Sequence, residues 1–159
     1  MTYSLQEVTF SDLTGLVQEA IDTKSFLPLK GDEESFLRSL PQLFGGHPDC
    51  RFFVLLENQV QEIGFIVVLP HKEERTLSIG PMYIREQCQG MGLGKHLVEG
   101  LIRWAKAEGI EWLFTQTWGE NTRSRRVFEG LGFQCVGEEP GTRVNGDSTV
   151  KYLLQIEGQ

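Results

Sequence analysis

The sequence lacks any long hydrophobic run. Among its 159 residues, no apolar stretch approaches the roughly 20 residues that a membrane-spanning helix needs. Residues 1–4 also lack the basic region and the apolar stretch that are typical of a signal peptide. We therefore expect a cytoplasmic protein that does not bind membranes.

Cysteine is scarce as well. The sequence has three, Cys50, Cys88 and Cys135, which is an odd number without CxxC spacing. This pattern argues against a disulfide framework and against a zinc site. We expect free thiols in a reducing cytosol and no bound metal.

Positive charge is in deficit. The chain has 15 Lys and Arg residues against 22 Asp and Glu residues, for a formal net charge of −7. This balance argues against broad nucleic-acid binding. Two interpretations of the acidity stay open: it favours a cationic small molecule or a basic peptide as partner, or it only aids solubility.

Hydrophobic patterns divide the chain into strands and helices. With 159 residues and 40% hydrophobic content, the chain is large enough for one domain with a buried core. The patterns predict strands at residues 3–10, 51–57, 60–69, 75–84, 111–118, 133–136 and 148–154. They predict helices at residues 11–21, 32–40, 91–108 and 121–131. This order indicates a mixed α/β fold in which helices pack on one sheet layer.

A glycine-rich turn stands between a predicted strand and the longest predicted helix. Its glycines alternate along the chain, at Gly90, Gly92 and Gly94. Such a turn directs backbone N–H groups and the positive end of the helix dipole at one point, which suits a phosphate. A P-loop is excluded because Gln89 replaces its first glycine and His96 replaces its Ser or Thr. A Rossmann fingerprint that starts at Gly90 would need a glycine where Lys95 stands.

Two motifs together resemble the GNAT N-acyltransferase superfamily. Residues 89–94 read Gln-Gly-Met-Gly-Leu-Gly and are similar to the family's acyl-CoA motif, Gln/Arg-x-x-Gly-x-Gly/Ala. Residues 121–133 begin Asn-Thr-Arg-Ser-Arg-Arg-Val-Phe-Glu, end in Gly-Phe, and are similar to the family's Asn-x-x-Ala-x-x-Leu-Tyr-Glu…Gly-Phe segment. The two motifs are specific in combination, and the resemblance extends over essentially the whole chain.

The resemblance implies an architecture and a cosubstrate. The implied fold is α/β (α+β), with a mixed, mostly antiparallel central sheet, a splayed strand pair and helices on both faces. It covers residues 1–159 as a single domain. The implied cosubstrate is acetyl-CoA, the implied partner is an amine acceptor, and no metal is required. Homodimers are common in the family, and the oligomeric state stays open.

By the same resemblance, the splayed strand pairs with the pantetheine arm and the glycine turn binds the pyrophosphate. Gly92 and Gly94 are expected because a Cβ would block close backbone approach. Asn121 binds pantetheine or caps a helix. The basic residues either meet the 3′-phosphate or belong to a solvated basic face; they are Lys95, His96, Arg123, Arg125 and Arg126. The implied cofactor-binding residues are Met82, Tyr83, Ile84, Gln89, Gly90, Met91, Gly92, Leu93, Gly94, Lys95, Asn121, Arg125 and Phe128.

The catalytic groups are harder to assign. Transfer to an amine needs a base and an oxyanion donor, for which the backbone N–H near Ile84 is the implied candidate. The family's usual acid is a tyrosine in the second motif, and Phe128 stands in its place. Tyr83 is the candidate substitute, with Tyr152 or a water behind it. The candidate bases are Glu74, its neighbour Glu73 and His47.

Two functions follow. The first is an N-acetyltransferase that moves an acetyl group from acetyl-CoA directly to a primary amine of a small molecule or protein. The alternative is an acyl-CoA-binding sensor with weak or no catalysis, which the absent tyrosine keeps open. We expect residues 25–50 and the strands around Asn145 to shape the acceptor pocket. Phe26 and Trp118 are its candidate walls.

Overall fold

The computed structural model describes residues 2–30 and 49–156. Its strands are β1 (Tyr3–Val8), β2 (Arg51–Glu57), β3 (Gln61–His71), β4 (Thr76–Ile84), β5 (Trp112–Trp118), β6 (Gln134–Glu139) and β7 (Thr149–Gln155). Its helices are α1 (Phe10–Asp22), α2 (Leu93–Ala107) and α3 (Thr122–Gly130). Every strand and helix that was predicted within the described residues is present, with ends that differ by a few residues. The predicted helix at residues 32–40 lies outside them.

Helix α1 begins at a capping box. The backbone N–H of Thr9 donates to Asp12 Oδ2 at 3.0 Å, and the Thr9 hydroxyl donates to the same oxygen at 2.8 Å. These bonds favour the charged carboxylate and lower the pKa of Asp12. The helix then buries one face, formed by Leu13, Leu16, Val17 and Ala20. Their spacing in the sequence had predicted this face.

The described strands form one sheet, in the order β1-β2-β3-β4-β5-β7-β6. All neighbours are antiparallel except β4 and β5, which are parallel. The fold is therefore of the predicted mixed, mostly antiparallel class. The hairpin between β2 and β3 turns through Asn58 and Gln59, which both have positive φ angles.

Strands β4 and β5 pair over only three residues each. The pairs are Thr76–Trp112, Leu77–Leu113 and Ser78–Phe114, and beyond them the strands diverge. Next to the point of divergence, the pairing of β4 with β3 skips a register between Ile79 and Met82. Gly80 and Pro81 occupy this bulge, and a proline has no N–H for a ladder bond. The predicted splayed pair is thus present, and a gap opens in the middle of the sheet.

Helices cover both faces of the sheet. Helices α2 and α3 pack on one face, where Leu97, Leu101 and Phe128 join the larger buried cluster. Helix α1 packs on the other face, where Leu13 joins Phe65 in a second cluster. Among the described residues, no helix is long and apolar enough to cross a bilayer.

The connection from β6 to β7 is longer than the predicted turn at residues 145–147. It spans residues 140–148 and contacts the segment that follows α1. Lys30 N donates to Thr142 O at 2.8 Å, and Val144 N donates to Pro28 O at 3.1 Å. These long-range bonds, which a local pattern does not reveal, hold the connection over the α1 face of the sheet.

Candidate active site

The glycine loop follows β4 after a short 3-10 turn, Glu86–Cys88, and leads into α2. Gly90 has a φ of +82° and Gly92 a φ of +75°, both in the left-handed region that favours glycine. Gly92 is the N-cap residue of α2, so the first free N–H groups of the helix follow it. A Cβ at Gly90 or Gly92 would meet no atom within 4 Å. The loop therefore borders open space, as an anion cradle at a helix N-terminus requires.

Gln89 holds this loop in place. Its side-chain Nε2 donates to Ile84 O at 2.8 Å, and its Oε1 accepts a hydrogen bond from Arg123 Nη1. The glutamine thus joins the end of β4 to α3. The sequence placed Gln89 in the glycine motif but did not reveal that its side chain connects β4 and α3 through hydrogen bonds.

A cleft of about 740 Å³ runs from the glycine loop through the gap in the sheet. Thr115 and Thr117 line it from the face of the sheet that α2 and α3 cover. This face is identified by the hydrogen bond that Thr117 accepts from Asn121 at the start of α3. Gln116 and Trp118 line it from the α1 face, because alternate residues of a strand point to opposite faces. The cleft therefore passes from one face of the sheet to the other. Its two ends are called here the loop end and the α1 end.

Most of the predicted cofactor-binding residues line this cleft. They are Met82, Tyr83, Ile84, Gln89, Gly90, Gly92, Leu93, Gly94, Asn121 and Phe128. Asn121 is also the N-cap of α3, since its side chain accepts a bond from Ser124 N at 3.4 Å. Both roles considered for this asparagine are therefore compatible with its position.

Three predicted cofactor-binding residues, Met91, Lys95 and Arg125, are not among the residues that line the cleft. Met91 is 58% exposed, and Lys95 Nζ lies 3.8 Å from Glu99.

Arg125 is held behind α3. Its Nε donates to the Tyr152 hydroxyl at 2.9 Å and its Nη1 donates to Gly119 O at 2.9 Å. The cleft is lined instead by Arg123 and Arg126. These two residues are three apart and share a helix face, which Arg125 does not.

The backbone of Ile84 faces the gap. The next residue, Arg85, donates its N–H to Ile63 O on the β3 side at 2.9 Å. Successive N–H groups of a strand point to opposite edges, so the N–H of Ile84 points away from β3. Its carbonyl does the same and accepts the Gln89 bond.

The hydroxyl of Tyr83 is committed to a neighbouring network. It donates to Glu19 Oε2 at 3.1 Å, and Glu19 also accepts from Arg85 Nη2 at 3.1 Å. The tyrosine is buried, with 2% of its surface exposed. Desolvation raises its pKa, and the Glu19 carboxylate adds to this shift. A proton on this hydroxyl is therefore held more tightly than on an ordinary tyrosine.

Glu74 is not brought into the cleft. It lies in a short 3-10 turn, Lys72–Glu74, at the start of β4, whereas the glycine loop follows the end of that strand. Nine residues of extended strand span about 30 Å, so Glu74 lies far from the glycine loop along β4. Its side chain is exposed. His47 lies outside the described residues.

Phe128 occupies the position where a tyrosine was expected. Its ring is 3% exposed and packs on Phe133 at 5.2 Å and on Tyr152 at 5.8 Å between ring centres. Tyr152 lies behind it, donates to Glu129 Oε1 at 3.2 Å, and is not among the residues that line the cleft. Burial raises the pKa of Tyr152, against the opposing effect of Arg125.

The α1 end of the cleft has aromatic walls and cations. Phe26 and Trp118, the candidate walls of the acceptor pocket, line it together with Lys24 and Arg143. Burial lowers the pKa of Arg143, against the opposing effect of Asp147. Among the described residues that line the whole cleft, the cations are Lys24, Arg123, Arg126 and Arg143, and the one carboxylate is Glu86. The described part of the cleft therefore has the opposite sign to the chain's net charge.

The described residues contain no group of three or more His, Cys, Asp or Glu side chains placed to hold a metal ion. The three cysteines are free thiols, of which Cys50 is buried and Cys135 exposed. Cys88 lines the cleft beside the glycine loop.

The central sheet splays between β4 and β5, and a cleft that begins at the glycine loop runs through the gap. The family model described as Acetyltransferase (GNAT) family matches residues 16–133. The chain belongs to the GNAT acetyltransferase family.

Its similarity to individual proteins is moderate. It is 30% identical over 121 residues to the Bacillus subtilis (strain 168) protein YwnH, to which phosphinothricin acetyltransferase activity is ascribed, across 73% of this chain and 72% of YwnH. It is 27% identical over 146 residues to the mycothiol acetyltransferase of Streptomyces coelicolor, across 76% of this chain and 47% of that protein.

Solved structures share the fold at lower identity. The ribosomal-protein-S18-alanine N-acetyltransferase from Escherichia coli superposes with a TM-score of 0.74 and 16% identity, covering 99% of this chain and 96% of that one. Mutant forms of the spermidine/spermine N-acetyltransferase SpeG from Vibrio cholerae superpose with a TM-score of 0.74 and 14% identity, covering 96% and 93%. At this identity the likeness concerns the fold alone.

Proposed function

We propose that this protein is a cytoplasmic N-acetyltransferase, a single domain over residues 1–159, that transfers the acetyl group of acetyl-CoA directly to a primary amine. The observation that carries the proposal is the continuous cleft, which joins the glycine loop at one face of the sheet to an aromatic pocket at the other. Such a cleft lets two substrates enter from opposite sides and meet in the gap.

The loop end is the proposed site for the diphosphate of acetyl-CoA. Open space in front of Gly90 and Gly92, together with the N-terminus of α2, suits an anion that binds backbone N–H groups. Arg123 and Arg126 add positive charge at this end. Lys95, Met91 and Arg125 have no direct role in this assignment. The pantetheine arm would then follow Met82, Tyr83 and Ile84 along β4.

Acetyl-CoA supplies an activated thioester. The acceptor nitrogen forms a bond to the thioester carbonyl carbon, the carbon–sulfur bond breaks, and the products are the acetylated amine and the thiol of CoA. We assign the backbone N–H of Ile84, which faces the gap, to the developing negative charge on the carbonyl oxygen. The amine proton passes to solvent in the open cleft.

Protonation of the leaving sulfur needs no tyrosine in this scheme. A thiol has an ordinary pKa of about 8.5, so its thiolate is a tolerable leaving group at neutral pH. Phe128 offers no hydroxyl, and the Tyr83 hydroxyl is bonded to Glu19. We therefore propose that water protonates the sulfur and that Tyr83 has at most a secondary part.

The second candidate function is an acyl-CoA sensor with weak or no catalysis. The buried ring of Phe128 favours it, because a lost general acid typically lowers the rate by about 10²–10⁴-fold. A sensor would retain the loop end of the cleft and need no reactive acceptor.

Two measurements separate these functions. Saturating acetyl-CoA is expected to raise the thermal unfolding midpoint of the protein, and ATP, which lacks the pantetheine arm, serves as the ligand control. Thiol release is then measured across a panel of primary amines. Absence of any thermal shift contradicts both functions. A thermal shift without turnover on any amine supports the sensor and contradicts the enzyme.

A further inference from the structure

Arg143 is a buried cation at the α1 end of the cleft. It belongs to the connection at residues 140–148 and is 8% exposed. Its Nε donates to Thr149 Oγ1 at 3.0 Å, and its Nη1 donates to Leu27 O at 2.7 Å. These two bonds hold the guanidinium against the wall of the cleft, which it lines beside Trp118.

This buried charge has no carboxylate partner among the described residues. None of their ion pairs includes Arg143. The nearby Asp147 uses one oxygen to accept Glu120 N at 3.0 Å and the other to accept Ser148 N at 2.7 Å. A guanidinium has five N–H groups, and Arg143 donates two of them within the described residues. Its Nη2 and one N–H of Nη1 are left for another partner.

Among the described residues, only the charge of Asp147, which forms no ion pair with Arg143, offsets the burial of this cation. A buried cation without a close anion is costly, which points to a partner that arrives with a ligand. The position of Arg143 relative to the sheet indicates which of the two substrates would bring this partner. Thr149 pairs with Trp118, and both face the α1 side of the sheet, opposite to Asn121 and the loop end. Arg143 therefore lies at the end of the cleft that is open to the amine acceptor, away from the proposed diphosphate site.

We propose that Arg143 binds an anionic oxygen group on the acceptor, so that the substrate is an amine that also carries an acid, with an α-amino carboxylate as the expected class. This assignment rests on the proposed acetyltransferase function and makes its acceptor more specific. A guanidinium suits the purpose because its fork donates two parallel bonds to a carboxylate or a phosphonate.

The test compares matched acceptors within each protein variant. Initial rates of thiol release are measured for a set of α-amino acids, the carboxamides with the same side chains, and the corresponding α-aminophosphonates. The variants are Arg143→Gln, Arg143→Lys and Arg103→Gln. The last removes the same charge from an exposed position of α2 that lies outside the cleft. The ratio of kcat/KM for acid over amide is the readout, because it is independent of the fraction of protein that is folded.

We expect the wild-type protein and Arg103→Gln to prefer the acid by about ten- to a hundredfold, the size of one charge-assisted contact. Arg143→Gln should remove this preference while keeping the thermal shift with acetyl-CoA, and Arg143→Lys should keep part of it. If the protein prefers the phosphonate to the carboxylate and this preference depends on Arg143, the role of Arg143 in binding an anion is supported, and the anionic group of the acceptor resembles a phosphonate. Equal rates for acids and amides, or an unchanged ratio in Arg143→Gln, would overturn the assignment. Absence of turnover on any amine would instead contradict the proposed function.

Discussion

Substitution of alanine for Gly92 and for Gly94 should separate the two reasons for glycine in the loop. Gly92 has a φ of +75°, where a side chain costs about 1–2 kcal/mol, although a Cβ there meets nothing within 4 Å. Gly94 has no positive φ, and its Cβ would touch only Val127 Cγ2, at 3.4 Å. Gly92 is therefore required by backbone conformation. Gly94 is required only if a ligand approaches its backbone closely.

The two variants are expected to differ in opposite ways: Gly92→Ala in the Tm of the ligand-free protein, and Gly94→Ala in the shift that acetyl-CoA causes. In a protein of this size 1 kcal/mol shifts the Tm by about 2–4 °C, so Gly92→Ala should lower the Tm of the ligand-free protein by about 2–8 °C. Gly94→Ala should leave that Tm unchanged or raise it by up to about 4 °C, since alanine favours a helix. At a concentration of 100 Kd, acetyl-CoA adds about 2.7 kcal/mol to wild-type stability, or about 5–11 °C. A tenfold weaker complex of Gly94→Ala would show about half of that shift.

Scanning calorimetry with and without acetyl-CoA measures both quantities on the same samples. Each variant is the control for the other, because both receive one methyl group within the same loop. If Gly94→Ala retains the full acetyl-CoA shift, Gly94 does not mark the approach of the diphosphate, and our placement of that group is wrong. If Gly92→Ala retains the wild-type Tm, the left-handed turn is not a constraint on this position.

Three further substitutions test other parts of the site. Phe128→Tyr is expected to leave kcat unchanged in the thiol-release assay, because water is proposed to protonate the sulfur; a rise of about 10²-fold or more would show that the missing acid limits the rate. Asn121→Ala should lower the Tm by about 2–4 °C through loss of the α3 cap, whereas Asn121→Ser should lose less because serine is also a good cap. Tyr152→Phe should alter the alkaline stability profile. Burial raises the Tyr152 pKa in the folded state, so its contribution is fully present below about pH 10 and is lost as the pH rises through the folded pKa. Denaturant titrations from pH 8 to 11 should show a flatter decline for the variant, and a parallel decline would contradict this account.

Local features of the chain were readable from the sequence. The apolar spacing of α1 correctly predicted its buried face, and the helix cap, one of the two roles considered for Asn121, is present. The positive φ angles of Gly90 and Gly92 agree with the predicted turn before a helix. Each of these features depends on residues within one or two turns of the chain, so the physical cause is visible in the sequence itself.

The catalytic candidates depended on distant neighbours. Tyr83 lies in a strand that borders the cleft, but Glu19, 64 residues earlier in the chain, accepts a hydrogen bond from its hydroxyl. Glu74 precedes the same strand, and the length of β4 separates it from the glycine loop. Arg123, Arg125 and Arg126 were all candidates for the 3′-phosphate, and only Arg123 and Arg126 share the face of α3 that lines the cleft.

The family, the glycine loop and the missing tyrosine could all be identified from the order of residues, because motifs and turns record short-range constraints of the backbone. The electrostatic character of the site could not. A net charge of −7 suggested a cationic partner as one interpretation, but the charged residues that line the described part of the cleft are four cations and one carboxylate. Arg143 belongs to this set only because the connection before β7 crosses to Leu27, a contact over 116 residues of chain. Charge at a site depends on which side chains the fold collects there, and composition averages over all of them.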